Sequence, residues 1–429
     1  MNSFPKELVA FIRDQFGTND YIPLHAPHFE GREKEYLLDT INSTFVSTVG
    51  EYVTKFEEMV ARYTGAKYAI ATVNGTSALH AALIVAGVHS GDEVITQSMT
   101  FVATCNAIKY CGANPVFVDV ERTTLGMSPD SLADFINRYA EIRDDGLCWN
   151  KKTQRIIRSC VPMHNLGHPV RINEIKKLCN CYNIKLIEDA AESLGSFYEG
   201  VHTGRFGSLS IISFNGNKII TTGGGGMVIT DNKAIADGLK HMTTTAKKKH
   251  PWLYVHDEIG FNYRLPNLNA ALGCAQMEVL PDYVERKRDL ANRYAEWFSG
   301  RGYEFIREPK NSQSNYWINA FITSNQYERD KLLKYTNSNK VMTRPAWTLM
   351  HTLKMYKNCL KMDLSNTQWI EDPQASWLFY WGLLILMIAW ITNIRKSSFW
   401  WGTFQNIVQT VVVLGLSVIL AIGALLYAD

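Results

Sequence analysis

The chain has 429 residues, long enough for one large and one small domain, and its 46% hydrophobic and 20% charged residues are ordinary for a globular protein. The net charge of +3, from 44 basic and 41 acidic residues, gives no electrostatic basis for nucleic-acid binding. The eight cysteines form no Cys-x-x-Cys pair, which favours free thiols in a reducing cytosol, and the polar residues 1–16 show no secretory signal.

Helical and extended patterns alternate along the first two thirds of the chain. The predicted helices are 52–64, 74–87, 101–110 and 171–181. The predicted strands are 68–73, 94–96, 116–120, 156–161, 184–188, 209–213 and 226–230. This alternation predicts an α/β fold with a mostly parallel sheet and helices on both faces. Residues 267–300 predict a helix that is broken near Pro281 and leads into a smaller C-terminal domain.

The composition changes abruptly after Asp372. Residues 377–394 carry no charge, Arg395-Lys396 follows, and residues 397–428 again contain no charged residue. Apolar stretches of this length span a bilayer, so we predict two C-terminal transmembrane helices that contact the membrane through residues 377–427. A buried helical pair and a chimeric or misassembled reading frame remain alternatives. The predicted domains are an N-terminal arm with a large domain (1–265), a small domain (266–372) and a membrane hairpin (373–429).

A lysine and an upstream acid carry the strongest functional signal. Lys218 lies on a turn rich in Ser, Gly and Asn, and Asp189 ends an apolar strand about thirty residues earlier. A lysine can form a Schiff base with the aldehyde of pyridoxal 5'-phosphate, and a buried carboxylate can keep the pyridine nitrogen of that cofactor protonated. Asp189 alone would be interpreted as a capping or turn residue. Together with Lys218, it predicts a pyridoxal phosphate site.

A phosphate cradle is predicted at the start of the helix that begins near residue 74. There Gly75-Thr76-Ser77 lies between a strand and a helix, so backbone amides and two hydroxyls face one point. Plain helix capping is the alternative, since Thr and Ser are good N-caps. Ser213, five residues before Lys218, is a second predicted phosphate donor.

Three other features have weaker signals. Phe101 lies at a strand-to-helix junction, where an aromatic ring can stack on a cofactor or pack in the core. His164 follows a strand and is predicted to reach cofactor or substrate, although a satisfied loop histidine fits the pattern as well. The glycine run 223–226 matches neither a Walker loop nor a dinucleotide fingerprint. It predicts a close approach of the backbone to a ligand or a neighbouring chain.

These segments together resemble the DegT/DnrJ/EryC1/StrS family of sugar-nucleotide aminotransferases over residues 20–372. The matching segments are GAKYA (65–69), NGTSAL (74–79), TFVAT (100–104), EDAAE (188–192), SF with Lys218 (213–218) and GFNYRL (260–265). Within the family the chain is most similar to LegC-type enzymes, which aminate a nucleotide-linked 4-keto-6-deoxy-N-acetylhexosamine.

The resemblance implies a fold-type-I aminotransferase that acts as a homodimer with active sites at the subunit interface. It implies that Lys218 is the Schiff-base lysine and proton shuttle, and that Asp189 pairs with the pyridinium nitrogen. The other implied contacts are Thr76, Ser77 and Ser213 with the phosphate, Phe101 with the ring, Asn262 with the phosphate across the dimer, Glu192 near the phenolic oxygen, and Arg344 with a carboxylate or diphosphate. Many relatives have Gln or His at the position of Glu192, so an acid there would alter the hydrogen bonding of the phenolic oxygen.

The predicted reaction is a two-step exchange. An amino donor, glutamate by resemblance, aminates the cofactor, which then passes the nitrogen to the keto carbon of a nucleotide-linked 4-keto-6-deoxy (N-acetyl)hexosamine. Relatives that dehydrate instead have histidine at the position of Lys218, so the lysine favours transamination. The pathway would be surface polysaccharide or nonulosonate biosynthesis. Two other functions remain open: an inactive regulatory or scaffold protein anchored to the membrane, and a hairpin that docks a polysaccharide assembly complex.

The expected location is a cytoplasmic catalytic domain tethered to the inner membrane by the hairpin. Family members are typically soluble and end soon after the position of Asp372, so the tail is predicted to be an appended segment. Arg395-Lys396 favours a cytosolic loop, which would place the enzyme outside the cell. The expected nucleotide-sugar substrate argues for a cytosolic enzyme, and we give this argument more weight. No metal is predicted.

Overall fold

The structure, a computed structural model, describes residues 3–371 and the backbone of residues 376–380. Its helices are α1 Phe4–Phe16, α2 Glu33–Asn42, α3 Glu51–Thr64, α4 Gly75–Val85, α5 Val102–Tyr110, α6 Pro129–Tyr139, α7 Ile172–Cys181, α8 Lys233–Thr243, α9 Asn267–Phe298, α10 Gln326–Ser338 and α11 Ser365–Glu371. Its strands are β1 Tyr68–Thr72, β2 Glu93–Gln97, β3 Asn114–Val118, β4 Ala140–Ile142, β5 Cys148–Asn150, β6 Arg155–Val161, β7 Lys185–Asp189, β8 Phe197–Tyr198, β9 Val201–His202, β10 Leu209–Ser213, β11 Gly226–Thr230, β12 Glu304–Phe305, β13 Ser312–Gln313, β14 Asn319–Thr323, β15 Arg344–Pro345 and β16 Ser376–Tyr380.

The described residues divide into two compact units, residues 3–20, and residues 21–371 with 376–380. In the first unit, α1 begins with Pro5 in its first turn and ends at Gly17, whose φ of 57° forms a left-handed cap. The second unit contains all the other described elements. The predicted division at residue 265 stays a prediction.

The main sheet has nine strands, with β1-β11-β10-β7-β6-β2-β3 as its continuous order and β5 and β4 extending from β6. The strands β10, β7, β6, β2 and β3 run parallel, as predicted, whereas β11 is antiparallel to both of its neighbours. The sheet is therefore mixed, because the chain turns back directly from β10 into β11. The carboxyl ends of β1, β7 and β10 consequently meet at one edge, where ligands bind in open α/β sheets.

The predicted elements between residues 52 and 230 are all present within two residues of their predicted bounds. The helix predicted over 52–64 is α3, which ends at Gly65 with a φ of 76°. Strand β2 is buried along its full length, and so is β11. Continuous burial on both faces is typical of strands covered by helices on each side.

The long helix α9 corrects one prediction. It runs without a break from Asn267 to Phe298 and includes Pro281, where a break was expected. Its first half packs against α2 and α3, burying Ala271, Cys274 and Ala275. We attribute the continuity to this packing, which stabilises the helix on the N-terminal side of the proline despite the lost backbone hydrogen bond.

A second sheet, antiparallel and of four strands, has the order β12-β14-β16-β15. Strand β16 is central in it and pairs with both β14 and β15. The hairpin predicted over 373–429 includes residues 376–380, so the strand corrects that boundary. The rest of the predicted hairpin, 373–375 and 381–429, lies outside the described residues. Within residues 3–371 and 376–380, no helix has both the length and the apolar composition needed to cross a bilayer.

Candidate active site

A cavity of about 290 Å³ opens at the carboxyl edge of the main sheet. Its walls come from the ends of β7 and β10, the first turns of α4 and α5, and the turn between β10 and β11. Seven of the predicted site residues line it: Gly75, Thr76, Phe101, Asp189, Glu192, Ser213 and Lys218. Four do not: Ser77, His164, Asn262 and Arg344.

Lys218 is held at the cavity by two side chains. Its Nζ donates to Oε1 of Glu192 at 3.2 Å and lies 3.9 Å from the ring centroid of Trp317. Its backbone N–H donates to the carbonyl of Asn215, which closes the turn that carries it. The amine therefore lies between a carboxylate and an aromatic face, in a position where it can react with a ligand in the cavity.

Asp189 lies at the end of β7 and is buried. Its Oδ2 accepts a hydrogen bond from the Thr104 hydroxyl at 2.8 Å, and its Oδ1 accepts one from the Ala191 backbone N–H at 3.2 Å. Burial raises the pKa of Asp189, while these two hydrogen bonds and the charge of Lys218 oppose the rise. A cation bound beside this carboxylate would keep it ionised.

Glu192 is the second buried acid of the cavity. Besides the contact with Lys218, its Oε2 accepts a hydrogen bond from the backbone N–H of Leu166 at 3.0 Å. Burial raises the pKa of Glu192 to about 7, although the nearby Lys218 charge favours the ionised form. The acid is thus able to exchange a proton near neutral pH.

The raised pKa of Glu192 predicts a specific dependence of stability on pH. Its folded value of about 7 lies above the ordinary 4.5, so the stability that it contributes is complete below about 4.5 and is lost as the pH rises to about 7. Glu192→Gln cannot ionise. Between pH 4.5 and 8, we expect the free energy of unfolding of the cofactor-free wild type to fall by roughly 2–3 kcal/mol more than that of this variant. Urea denaturation at both pH values measures the difference, and identical losses in the two proteins would contradict the interpretation.

The predicted phosphate cradle is formed by the first turn of α4 and the end of β10. Asn74 caps the helix, with its Oδ1 accepting from the Ser77 N–H at 2.7 Å. Gly75 and Thr76 line the cavity, and a Cβ at Gly75 would lie 3.0 Å from the Cβ of Ser213. Ser77 is buried and is not part of the lining, and its phosphate contact stays a prediction.

The glycine run explains how the cradle keeps its shape. A Cβ at Gly226 would lie 2.4 Å from the carbonyl carbon and oxygen of Asn74 and 2.7 Å from the amide nitrogen of Gly75. The backbone at Gly226 therefore approaches another backbone closely, as predicted. Its neighbour is the start of α4 in the same chain, whereas a ligand or a neighbouring chain was predicted. We expect Gly226→Ala to displace the cradle and weaken pyridoxal phosphate binding about tenfold, or ~1.4 kcal/mol.

Equilibrium dialysis of the cofactor measures this effect. Gly224→Ala is the matched control, because it lies in the same run and a Cβ there would meet only the Val73 carbonyl oxygen, at 3.9 Å. Equal cofactor affinity in the two variants would contradict the proposed role of Gly226.

His164 has a different environment from the predicted one. It is fully buried, the Val170 N–H donates to its Nδ1 at 3.2 Å, and its Nε2 lies 3.1 Å from Oε2 of Glu188. Because Nδ1 accepts a hydrogen bond, the proton lies on Nε2 and is donated to Glu188. The predicted contact of His164 with cofactor or substrate is therefore not seen, since both ring nitrogens are used inside the fold.

Glu188 is a buried anion that fixes the loop after β9. Its carboxylate accepts backbone N–H groups of Gly204 at 2.8 Å, Phe206 at 2.7 Å and Gly207 at 2.6 Å. Burial alone would raise its pKa, but the His164 and backbone hydrogen bonds outweigh burial and lower it.

We expect Glu188→Gln to reduce the free energy of unfolding by about 3–5 kcal/mol, because an amide cannot accept all of these bonds. Glu93→Gln is the control. Glu93 is also buried, but it accepts from Asn150 at 2.7 Å and burial raises its pKa, so a neutral amide suits the site. Denaturant unfolding compares the two, and equal losses would contradict the interpretation.

Asn262 and Arg344 are both exposed and lie outside the cavity lining. Asn262 Oδ1 accepts from Nε and one terminal NH₂ of Arg264 at 3.1 and 3.0 Å. Arg344, on β15, donates to Oδ1 of Asn337 at 3.2 Å. The role predicted for Asn262 requires a second subunit, so it stays a prediction, as does the anion contact predicted for Arg344.

Eleven of the eighteen lining residues were not predicted as site residues, among them Thr104, Trp317 and Trp347. Thr104 is the last residue of the family segment TFVAT, which was the available signal for it in the sequence. Its hydrogen bond to Asp189 becomes visible only in the structure. Trp317 and Trp347 come from the chain after residue 300, where strand patterns are short and irregular. Trp347 lies 6.3 Å from Phe101, ring centroid to ring centroid.

The lining residues fit pyridoxal phosphate. The cavity has an amine that can bind an aldehyde, a buried acid for a ring nitrogen, and a helix N-terminus with hydroxyls for a phosphate. Phe101 lines the same space and is 49% exposed, so its ring has a free face for stacking.

A comparison with protein families agrees with this chemistry. The model of the DegT/DnrJ/EryC1/StrS aminotransferase family matches residues 27–381. The chain belongs to this family. The match extends past Asp372 and includes β16, which is consistent with that strand being part of the catalytic fold.

The DegT/DnrJ/EryC1/StrS relatives cover most of the chain. The GDP-perosamine synthase of Escherichia coli O157:H7 is 39% identical over 336 residues, 78% of this chain and 87% of the relative. The provisionally named pyridoxal phosphate-dependent aminotransferase EpsN of Bacillus subtilis (strain 168) is 36% identical over 340 residues, 79% of this chain and 84% of the relative. A crystal structure of a family member from Brucella abortus has a TM-score of 0.73 and 25% identity, and covers 81% of this chain and 89% of that one.

Membership confirms two predictions. The chain is an aminotransferase, and its cofactor is pyridoxal phosphate. The predicted closeness to LegC-type enzymes stays a prediction, since the relatives above have other names. The homodimer and the membrane association also stay predictions.

Proposed function

We propose that this aminotransferase converts the keto group of a nucleotide-linked 4-keto-6-deoxy hexose or N-acetylhexosamine into an amine, with glutamate as donor. The product would serve surface polysaccharide or nonulosonate biosynthesis. The observation that carries the proposal is the convergence of Lys218, Asp189 and Glu192 on one cavity, with the Lys218 amine 3.2 Å from Glu192. A relative whose name states that it makes a GDP-linked amino sugar supports the substrate class.

Pyridoxal phosphate, when bound, supplies an electron sink for removing a proton next to nitrogen. Lys218 would take that proton and return it; this role is supported by its place in the cavity lining and by Glu192, which lies within hydrogen-bond distance and could exchange a proton with it. Asp189, held by Thr104, would keep the ring nitrogen protonated. Thr76 and Ser213 would hold the phosphate, and Phe101 would cover the ring.

The test uses purified full chain, glutamate and a panel of 4-keto-6-deoxy sugar nucleotides. The panel varies the nucleotide, GDP or UDP, and the presence of the N-acetyl group. Mass spectrometry is expected to find one product in which an amine replaces the keto oxygen. An absorbance change on adding glutamate, with no sugar product, would refute the sugar assignment. Absence of both would favour an inactive regulatory or scaffold protein.

We also propose that residues 382–429 attach the enzyme to a membrane and that the catalytic unit acts as a homodimer. A deletion should start at residue 382, because β16 is central in the second sheet and a cut after Asp372 would remove it. The full chain is expected to sediment with membranes, whereas residues 1–381 should remain in the supernatant as an active dimer by light scattering. Sedimentation of both would refute the tether.

A further inference from the structure

Trp317, just before β14, contacts the amine of Lys218 and the backbone carbonyl of the residue before it. Its indole Nε1–H donates to the carbonyl oxygen of Asn217 at 2.7 Å, so it binds the peptide group that precedes the lysine. The Lys218 Nζ lies 3.9 Å from the centroid of its ring, within the range of a cation–π interaction. One side chain therefore constrains the backbone and the amine of the same residue.

Trp317 is itself fixed in place. It is buried, and its backbone N–H donates to Oδ1 of Asn315 at 2.8 Å. The Asn315 Nδ2 donates to the carbonyls of Glu192 at 2.9 Å and Leu194 at 2.8 Å. The carbonyl of Trp317 accepts from Nζ of Lys287, on α9, at 3.2 Å. Residues 315–317 thus hydrogen-bond to the turn that carries Lys218, to the backbone near Glu192 and to α9.

These contacts restrict a side chain that is otherwise flexible. A lysine has four rotatable side-chain bonds, and ordering them costs conformational entropy. This cost opposes attachment of a ligand unless neighbouring groups have already ordered the side chain. Glu192 constrains the amine through one hydrogen bond, and the Trp317 ring constrains it from another direction. The Trp317 ring also covers one side of the amine, so it limits the access of an acylating reagent from that side.

We propose that Trp317 is a positioning residue for Lys218: its indole N–H fixes the peptide before the lysine, and its ring face holds the amine at the cavity. This inference rests on the role given to Lys218 in the proposed function. Trp317 lies outside every family segment identified in the sequence, about 100 residues beyond Lys218.

Two substitutions separate the two contacts. Trp317→Phe keeps a ring face and removes the indole N–H, whereas Trp317→Leu removes both. Trp149→Leu is the matched control, because Trp149 makes the same kinds of contact away from the cavity. Its ring centroid lies 4.4 Å from the Arg143 guanidinium carbon, and its indole N–H donates to Asp145 at 3.0 Å.

Two rates are measured on each cofactor-free full chain. The first is acetylation of Lys218 by acetic anhydride at fixed pH, measured by peptide mass spectrometry relative to the exposed Lys233. The second is attachment of added pyridoxal phosphate, followed by visible absorbance. Trp317→Leu is expected to raise acetylation about threefold or more and to slow attachment. Trp317→Phe is expected to leave acetylation within about twofold of wild type and to slow attachment about fivefold. The control should match wild type in both rates.

Wild-type values of both rates in a folded Trp317→Leu chain would overturn the proposal. If circular dichroism shows that this variant does not fold, Trp317→Phe decides, and a wild-type attachment rate in it overturns the proposal. Failure of the proposed function would look different: the wild-type chain would attach the cofactor at another lysine, while the acetylation ratios at Lys218 would still report the contact with Trp317.

Discussion

Lys218→Ala is expected to reduce kcat by about 10³–10⁴-fold or more, because it removes the group that binds the cofactor and moves the proton. In the structure, Lys218 is the lysine among the described residues that lines the cavity, and its amine lies between Glu192 and Trp317. The purified variant should also lack the visible absorbance of covalently attached cofactor. Steady-state assays with glutamate and the sugar product of the panel measure the first effect, and a spectrum measures the second.

Lys233→Ala is the control for this variant. Lys233 is exposed on α8 and pairs with Asp237 at 2.6 Å, so its loss should change neither kcat nor the spectrum. Turnover within tenfold of wild type in Lys218→Ala would exclude the assigned role. Exogenous primary amines are expected to restore part of the activity, since they supply a base in the space that the side chain leaves.

Asp189→Asn is expected to reduce kcat by about 10²–10³-fold while the chain stays folded, because an amide cannot stabilise a protonated ring nitrogen. The amide occupies nearly the same volume as the carboxyl group, and its oxygen can still accept from Thr104 or Ala191. The loss should therefore appear in kcat much more than in the free energy of unfolding. Stopped-flow measurement of the reaction with glutamate isolates the affected step.

Thr104→Val gives a graded comparison for the same carboxylate. It removes the hydroxyl that donates to Oδ2 of Asp189 and helps to keep its pKa down. We expect a loss of about tenfold in kcat, between wild type and Asp189→Asn. A larger effect for Thr104→Val than for Asp189→Asn would show that the acid is not the main determinant.

The sequence predicted the main sheet well because its strands are short buried apolar runs and its helices are amphipathic. Two local patterns led to the site. Asp189 is the last residue of the apolar strand β7, and the first turn of α4 follows the end of β1. Parallel strands bring such ends to one edge, so Asp189, Gly75 and Ser213 could be placed together from topology alone.

Other features depend on contacts between distant segments. Pro281 stays inside α9, and we attribute this to the packing of that helix against α2 and α3. The uncharged stretch at 376–380 resembles a membrane segment locally, yet it pairs with β14 and β15. His164 follows a strand as a site residue would, but Glu188 and Val170 use both of its nitrogens. Trp317 joins the site through a bond to Asn217, 100 residues earlier.

Borohydride reduction of the purified holoenzyme, followed by peptide mass spectrometry, tests the central claim most directly. Reduction makes the link between a lysine and the cofactor permanent. The account predicts that the peptide containing Lys218 carries the added mass of the phosphopyridoxyl group. Finding that mass on another lysine, or on none, would contradict it.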